Sequence, residues 1–154
     1  MSKVILFYVV WPAVLAGAMS APGMCRAELG GMASPAAASD AAVVHSLTSG
    51  LFQVRTTTDD GGTTINEYST PAGEVFAYTW QGPTMPDLKA LLGSFYDSWH
   101  DGAASAQASE SALHATRIAR PDVIVESGGQ MRSYVGRAWL PRALPAGVSA
   151  DDLR

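Results

Sequence analysis

One cysteine and three histidines are all that 154 residues offer to thiol or imidazole chemistry. With Cys25 alone, no disulfide closes within the chain, so a fold stapled by disulfides is excluded. Charge is sparse as well: 16% of residues are Asp, Glu, Lys or Arg, and the formal net charge is −4. Neutralising phosphate needs a basic surface, and an acidic chain argues against nucleic acid as the partner. No Gly-x-Ser-x-Gly elbow occurs, so the turn that presents a hydrolase serine is missing. His45, His100 and His114 lie in separate stretches, and no spacing pairs one of them with a nucleophile. The sequence carries no internal repeat.

What is present begins with an asymmetric start. Lys3 precedes an almost wholly apolar run from Val4 to Met19, followed by small residues and the triplet Cys25-Arg26-Ala27. Positive, apolar and small, in that order, is the layout of a secretory signal peptide. A retained membrane anchor would need roughly 20 apolar residues, and this run is shorter and interrupted by Pro12. Lipid attachment at Cys25 is disfavoured by Pro22, Gly23 and Met24 before it. We therefore expect residues 1–27 to be a signal peptide, cut between Ala27 and Glu28. The product would be exported to the periplasm or secreted, with no membrane attachment after cleavage. Cleavage removes Lys3 and Arg26 and keeps every acid, so the remainder is more acidic still.

Residues 28–50 read as an Ala/Ser/Pro-rich leader, 51–148 as a single domain and 149–154 as a C-terminal tail. A chain of roughly 125 residues buries about two thirds of its unfolded surface, enough to fold by packing alone. Phe52 and Val54 alternate with Gln53 and Arg55, as in a half-buried strand. Asp59-Asp60-Gly61-Gly62 predicts a turn, and Ile65 and Tyr68 lie in the next strand. After Pro71-Ala72-Gly73, the segment Glu74–Gln81 is the clearest strand, with Phe76, Tyr78 and Trp80 on one face. Thr84-Met85-Pro86-Asp87 has the form of a helix start. Leu88, Leu91, Leu92, Phe95 and Trp99 then make one apolar stripe over about four turns, with Gly102 as the stop and a loop over 103–112. Val123–Val125 predicts a short buried strand, Ser127-Gly128-Gly129 a turn and Met131–Leu140 the last strand. The expected fold class is α+β: an antiparallel sheet in the order β-β-β-α-β-β, with one long amphipathic helix packed on it.

Several short pieces coincide with a known pattern: Leu29-Gly30-Gly31, Trp80-Gln81-Gly82-Pro83, Pro86-Asp87-Leu88, Leu91-Leu92-Gly93, Gly128-Gly129-Gln130-Met131-Arg132, Gly136-Arg137-Ala138 and Leu144-Pro145-Ala146-Gly147-Val148. Through them the chain resembles a family of exported proteobacterial proteins called domain of unknown function, number 2844. The resemblance spans nearly everything after the signal peptide. It implies export and a single domain, and it implies no activity.

Candidate chemistry is thin. Asp97, His100 and Asp101 share a helical face at metal-ligand spacing, but a solvated helix end explains them better and a third strong ligand is lacking. Asp59-Asp60-Gly61-Gly62 lacks the alternating acids of a calcium loop. No metal and no cofactor is expected. The Phe76/Tyr78/Trp80 face suits the core under a helix better than a sugar- or peptide-stacking surface. Arg117, Arg120, Arg132, Arg137 and Arg142 crowd the C-terminal third, where pairing with the acids of the N-terminal half is favoured over ligand binding. The binding candidates are Trp80 and Gln81, beside Gly82-Pro83 at a strand end, together with Arg132 and Arg137. The expected function is a non-catalytic module that binds another envelope protein. The alternative is a small enzyme acting on envelope material through an unrecognised site.

Overall fold

The computed structural model describes residues 27–33, 43–46, 50–107 and 115–153. Among the described residues seven strands form one antiparallel sheet: β1 (Val43–Ser46), β2 (Gln53–Thr58), β3 (Thr64–Ser69), β4 (Val75–Gly82), β5 (Ala115–Ala119), β6 (Ile124–Gln130) and β7 (Ser133–Trp139), in spatial order β1-β2-β3-β4-β7-β6-β5. The first four make a meander. The chain then crosses one face through helices α1 (Leu88–Leu92) and α2 (Tyr96–Gln107) to the far edge, and β5, β6 and β7 return to the centre. The α+β class, with helix laid on an antiparallel sheet, is the one the sequence predicts.

Local chemistry sets the connections. Between β2 and β3, the Asp59 carboxylate accepts from the Thr63 amide at 2.8 Å and the Asp59 carbonyl from the Gly62 amide at 3.0 Å. That is the side-chain-closed turn expected of Asp-rich segments. The helix begins one turn later than Thr84 predicts. Asp87 is the cap, its carboxylate accepting from the amides of Lys89 and Ala90 at 3.0 and 3.1 Å. Thr84 is engaged elsewhere, with its carbonyl accepting from the Thr63 hydroxyl at 2.6 Å. The predicted single helix is broken by a 3-10 turn, Gly93–Phe95, because Gly93 adopts φ 52°. A Cβ there would also strike the Glu28 side chain. Gly102 does not stop α2, which runs on to Gln107; Gly102 instead lies over Ile118 of β5, where a Cβ would not fit.

The clearest departure from strand alternation is at Phe76. Ser69 pairs with Val75 and Tyr68 with Ala77, so β4 carries one extra residue, Phe76, at a bulge. The bulge turns Phe76 away from Tyr78 and Trp80. Tyr78 and Trp80 pack beneath the helices with Leu88, Leu91, Leu92 and Val125, and Phe95 and Trp99 lean on that cluster. Phe76 joins Phe52, Val54, Tyr68 and Trp139 on the opposite face. The helical stripe is therefore buried against Tyr78 and Trp80, and not against Phe76.

That opposite face has its own cover. After β7 the chain folds back over it, and Leu144, Val148 and Leu153 pack on the Phe76 cluster. Leu153, in the expected tail, is buried, and Ser149 and Asp152 close the last turn by hydrogen bonds of 2.7 and 2.9 Å. The expected leader contributes as well. Leu29 is buried in the helix-side core, its amide donates to the Leu91 carbonyl, and Gly30 and Gly31 bond to Val75. β1, also within that stretch, pairs with β2.

Candidate functional site

The C-terminal wrap leaves part of the second face open. A row of polar residues crosses six strands there, each opposite the next: Thr56, Asn66, Thr79, Arg137, Glu126 and Arg117. The parallel row of Val54, Tyr68, Ala77, Trp139, Ile124 and Ala119 is apolar. The two rows stand two residues apart on every strand, so they share one face, the apolar row beneath the C-terminal wrap and the polar row beside it.

Half of the polar row is neutral. The Thr56 hydroxyl donates to Asn66 Oδ1 at 2.8 Å, and Asn66 Nδ2 donates to the Thr79 hydroxyl at 3.1 Å. The other half is charged. Arg137 Nε donates to Glu126 Oε2 at 2.6 Å and Arg117 Nη1 to Glu126 Oε1 at 2.5 Å, so one carboxylate holds two guanidinium groups. Arg137 Nη1 also donates to the Ala150 carbonyl at 2.5 Å, tying the ladder to the C-terminal wrap. Both guanidinium carbons lie near the Trp139 ring, 5.3 Å away for Arg137 and 5.8 Å for Arg117, within cation–π range.

Two adjoining cavities open over this row. One, of about 290 Å³, is lined by Thr64, Asn66, Thr79, Gln81, Val135 and Arg137, with Leu153 among its walls. The other, of about 400 Å³, is lined by Arg117 and Glu126 and shares Val135, Gly136 and Arg137 with the first. Together they form a groove that runs across the strands. Val135, 53% exposed, is the apolar side chain at the join.

The four sequence candidates separate. Gln81 and Arg137 both line the groove. Arg137 does so as a member of an ion pair with Glu126, an acid of its own C-terminal third and not of the N-terminal half as expected. Trp80 also borders the first cavity, but it is 2% exposed and belongs to the helix-side core, its Nε1 buried without a hydrogen-bond partner among the described residues. Trp80, Gln81 and Gly82 are strand residues paired with β7, not a loop. Arg132 stands away from all three. The predicted turn at Ser127-Gly128-Gly129 is strand, and the reversal falls at Met131-Arg132, between paired Gln130 and Ser133. Arg132 there has φ 65°, and Met131 is 95% exposed. Asn66, Thr64 and Thr79 escape sequence reading because polar residues at alternate strand positions look like any solvated face.

Among the described residues that line the groove there is no histidine or cysteine. His100 lies on α2, over the other face, stacked on Tyr96 at 5.7 Å. His114 lies outside the described residues, as does the side chain of His45. Among the described residues no three His, Cys, Asp or Glu side chains converge as metal ligands, and no helix is long and apolar enough to cross a membrane.

An antiparallel sheet with helices on one face and a wrapped C-terminal segment plus an open polar groove on the other defines the class of domain. The chain belongs to the family described as protein of unknown function (DUF2844), whose model matches residues 25–153. No curated protein and no solved structure matches it.

Proposed function

We propose that this is an exported, non-catalytic binding module whose groove takes an extended segment of another envelope protein. On this reading residues 1–27 are removed on export and the remaining chain acts in the periplasm or outside the cell. The observation that carries it is the composition of the groove. Amide and hydroxyl groups of Asn66, Thr64, Thr79 and Gln81 stand beside an exposed Val135 and the Arg137–Glu126 pair. Backbone amides of an extended peptide need donors and acceptors of both kinds, and side-chain amides supply both. An apolar side chain of the peptide finds area on Val135. Among the described residues of the groove no histidine stands beside a hydroxyl, and we read the site as one of recognition.

The test is capture of envelope proteins on the immobilised exported chain. Wild type should retain a defined partner, and the Asn66→Ala/Gln81→Ala double variant should lose it while keeping the wild-type circular dichroism. Equal capture by both would reject the groove as the binding surface.

A further inference from the structure

We infer that the buried Glu67–Tyr78 pair is a receiving site for a new α-ammonium group at Glu28, made when the leader is cut away. The inference rests on the export reading above. Three residues meet at this point of the helix-side core. Glu67 on β3 stands opposite Tyr78 on β4, and both are buried, at 6% and 1% exposure. The Tyr78 hydroxyl contacts the Ala27 carbonyl oxygen and lies 3.1 Å from Glu67 Oε2. The other carboxylate oxygen of Glu67 forms an ion pair with Arg55 Nη1 at 3.8 Å.

The donors do not match the acceptors here. A phenol carries one proton, yet a carbonyl and a carboxylate oxygen both converge on it. Two acceptors that share one proton in the core are held less well than acceptors with a donor each. Cleavage between Ala27 and Glu28 would reverse that balance. A leader peptidase adds water across the peptide bond, so the C–N bond breaks, the Ala27 carbon takes the oxygen and leaves as a carboxylate with the leader, and the Glu28 nitrogen gains protons. One acceptor departs with Ala27. In its place, one atom beyond the carbonyl carbon it replaces, stands an ammonium with three donors and a positive charge. The Glu28 side chain does not compete for it, being turned toward Gly93. The following residues hold the new terminus in register: Leu29 to Leu91, Gly30 and Gly31 to Val75, and Ala33 to Gly73. Folding of the exported domain is thereby coupled to removal of its leader, because the uncut chain carries an extra acceptor where the cut chain carries a cation.

The full-length chain is expressed in a bacterial host, recovered from the envelope fraction and weighed intact. Its mass should correspond to a start at Glu28. An aldehyde reagent selective for α-amines should then react with the folded protein at least tenfold more slowly than with the urea-unfolded protein. Folded Glu67→Gln should react at close to the unfolded rate, and Tyr78→Phe gives the same reading should Glu67→Gln not fold. A mass that retains Met1, or a start elsewhere, overturns the inference together with the export reading. A Glu28 start whose amine is as reactive folded as unfolded, or stays protected in the folded variants, overturns the inference alone.

Discussion

Gly136 lies opposite Trp80 in the β4–β7 pair, and the indole ring occupies the space that a Cβ on Gly136 would take. The glycine is what lets a tryptophan lie flat on the sheet beneath the helices. Gly136→Ala should therefore cost about 1–3 kcal/mol by overpacking, read from urea melts, although alanine suits a strand better than glycine does. Trp80→Ala should cost on the order of 3–5 kcal/mol. Losses under about 1 kcal/mol for both variants would contradict a core role for this pair.

Glu126 holds Arg117 and Arg137 together across three strands. Its removal leaves two cations side by side on one face. The pair is partly exposed, so we expect Glu126→Gln to cost about 1–2 kcal/mol at low salt. The loss should shrink as salt rises to 1 M, since screening weakens both the attraction lost and the repulsion gained. A cost that does not change with salt would show that packing against Trp139, and not charge, is what Glu126 supports.

Arg132 occupies the left-handed region, at φ 65°, in a two-residue hairpin turn. That conformation costs a side-chain-bearing residue roughly 1–2 kcal/mol, and glycine avoids it at some entropic cost in the unfolded chain. Arg132→Gly should leave stability unchanged or raise it by up to about 1 kcal/mol. Arg132→Val should lower stability, because a β-branched side chain tolerates positive φ worst. If Arg132→Gly melts well below wild type, the arginine side chain makes a stabilising contact of its own.

The fold class, the meander β2–β3–β4 and the helix stripe are legible in the sequence because each rests on periodicity or turn chemistry that needs no distant partner. Phe76 shows where that ends. Alternation places it with Tyr78 and Trp80, and only the pairing of Tyr68 and Ser69 on the neighbouring strand reveals the bulge. β5 is similarly opaque: Ala115–Ala119 holds one strongly apolar residue, Ile118, and becomes a strand by pairing with β6. Of the groove, Gln81 is picked out by its place beside Gly82-Pro83 and Arg137 as one of the C-terminal arginines. Asn66 and Glu126 gain meaning only from cross-strand register, which juxtaposes residues far apart in sequence. Trp80 misleads because its neighbours Gly82 and Pro83 resemble a loop, whereas β4 extends to Gly82.

Photo-crosslinking from position 135 in living cells tests the groove most directly. Val135 is exposed at the join of the two cavities, so a photoreactive residue in its place projects into the path of any bound segment. The same residue at Asp97, exposed on α2 over the opposite face, serves as the reference. A binding groove predicts one discrete envelope-protein adduct from position 135, absent from position 97 and lost when Asn66→Ala and Gln81→Ala are added. No adduct from position 135, or the same adducts from both positions, would contradict it.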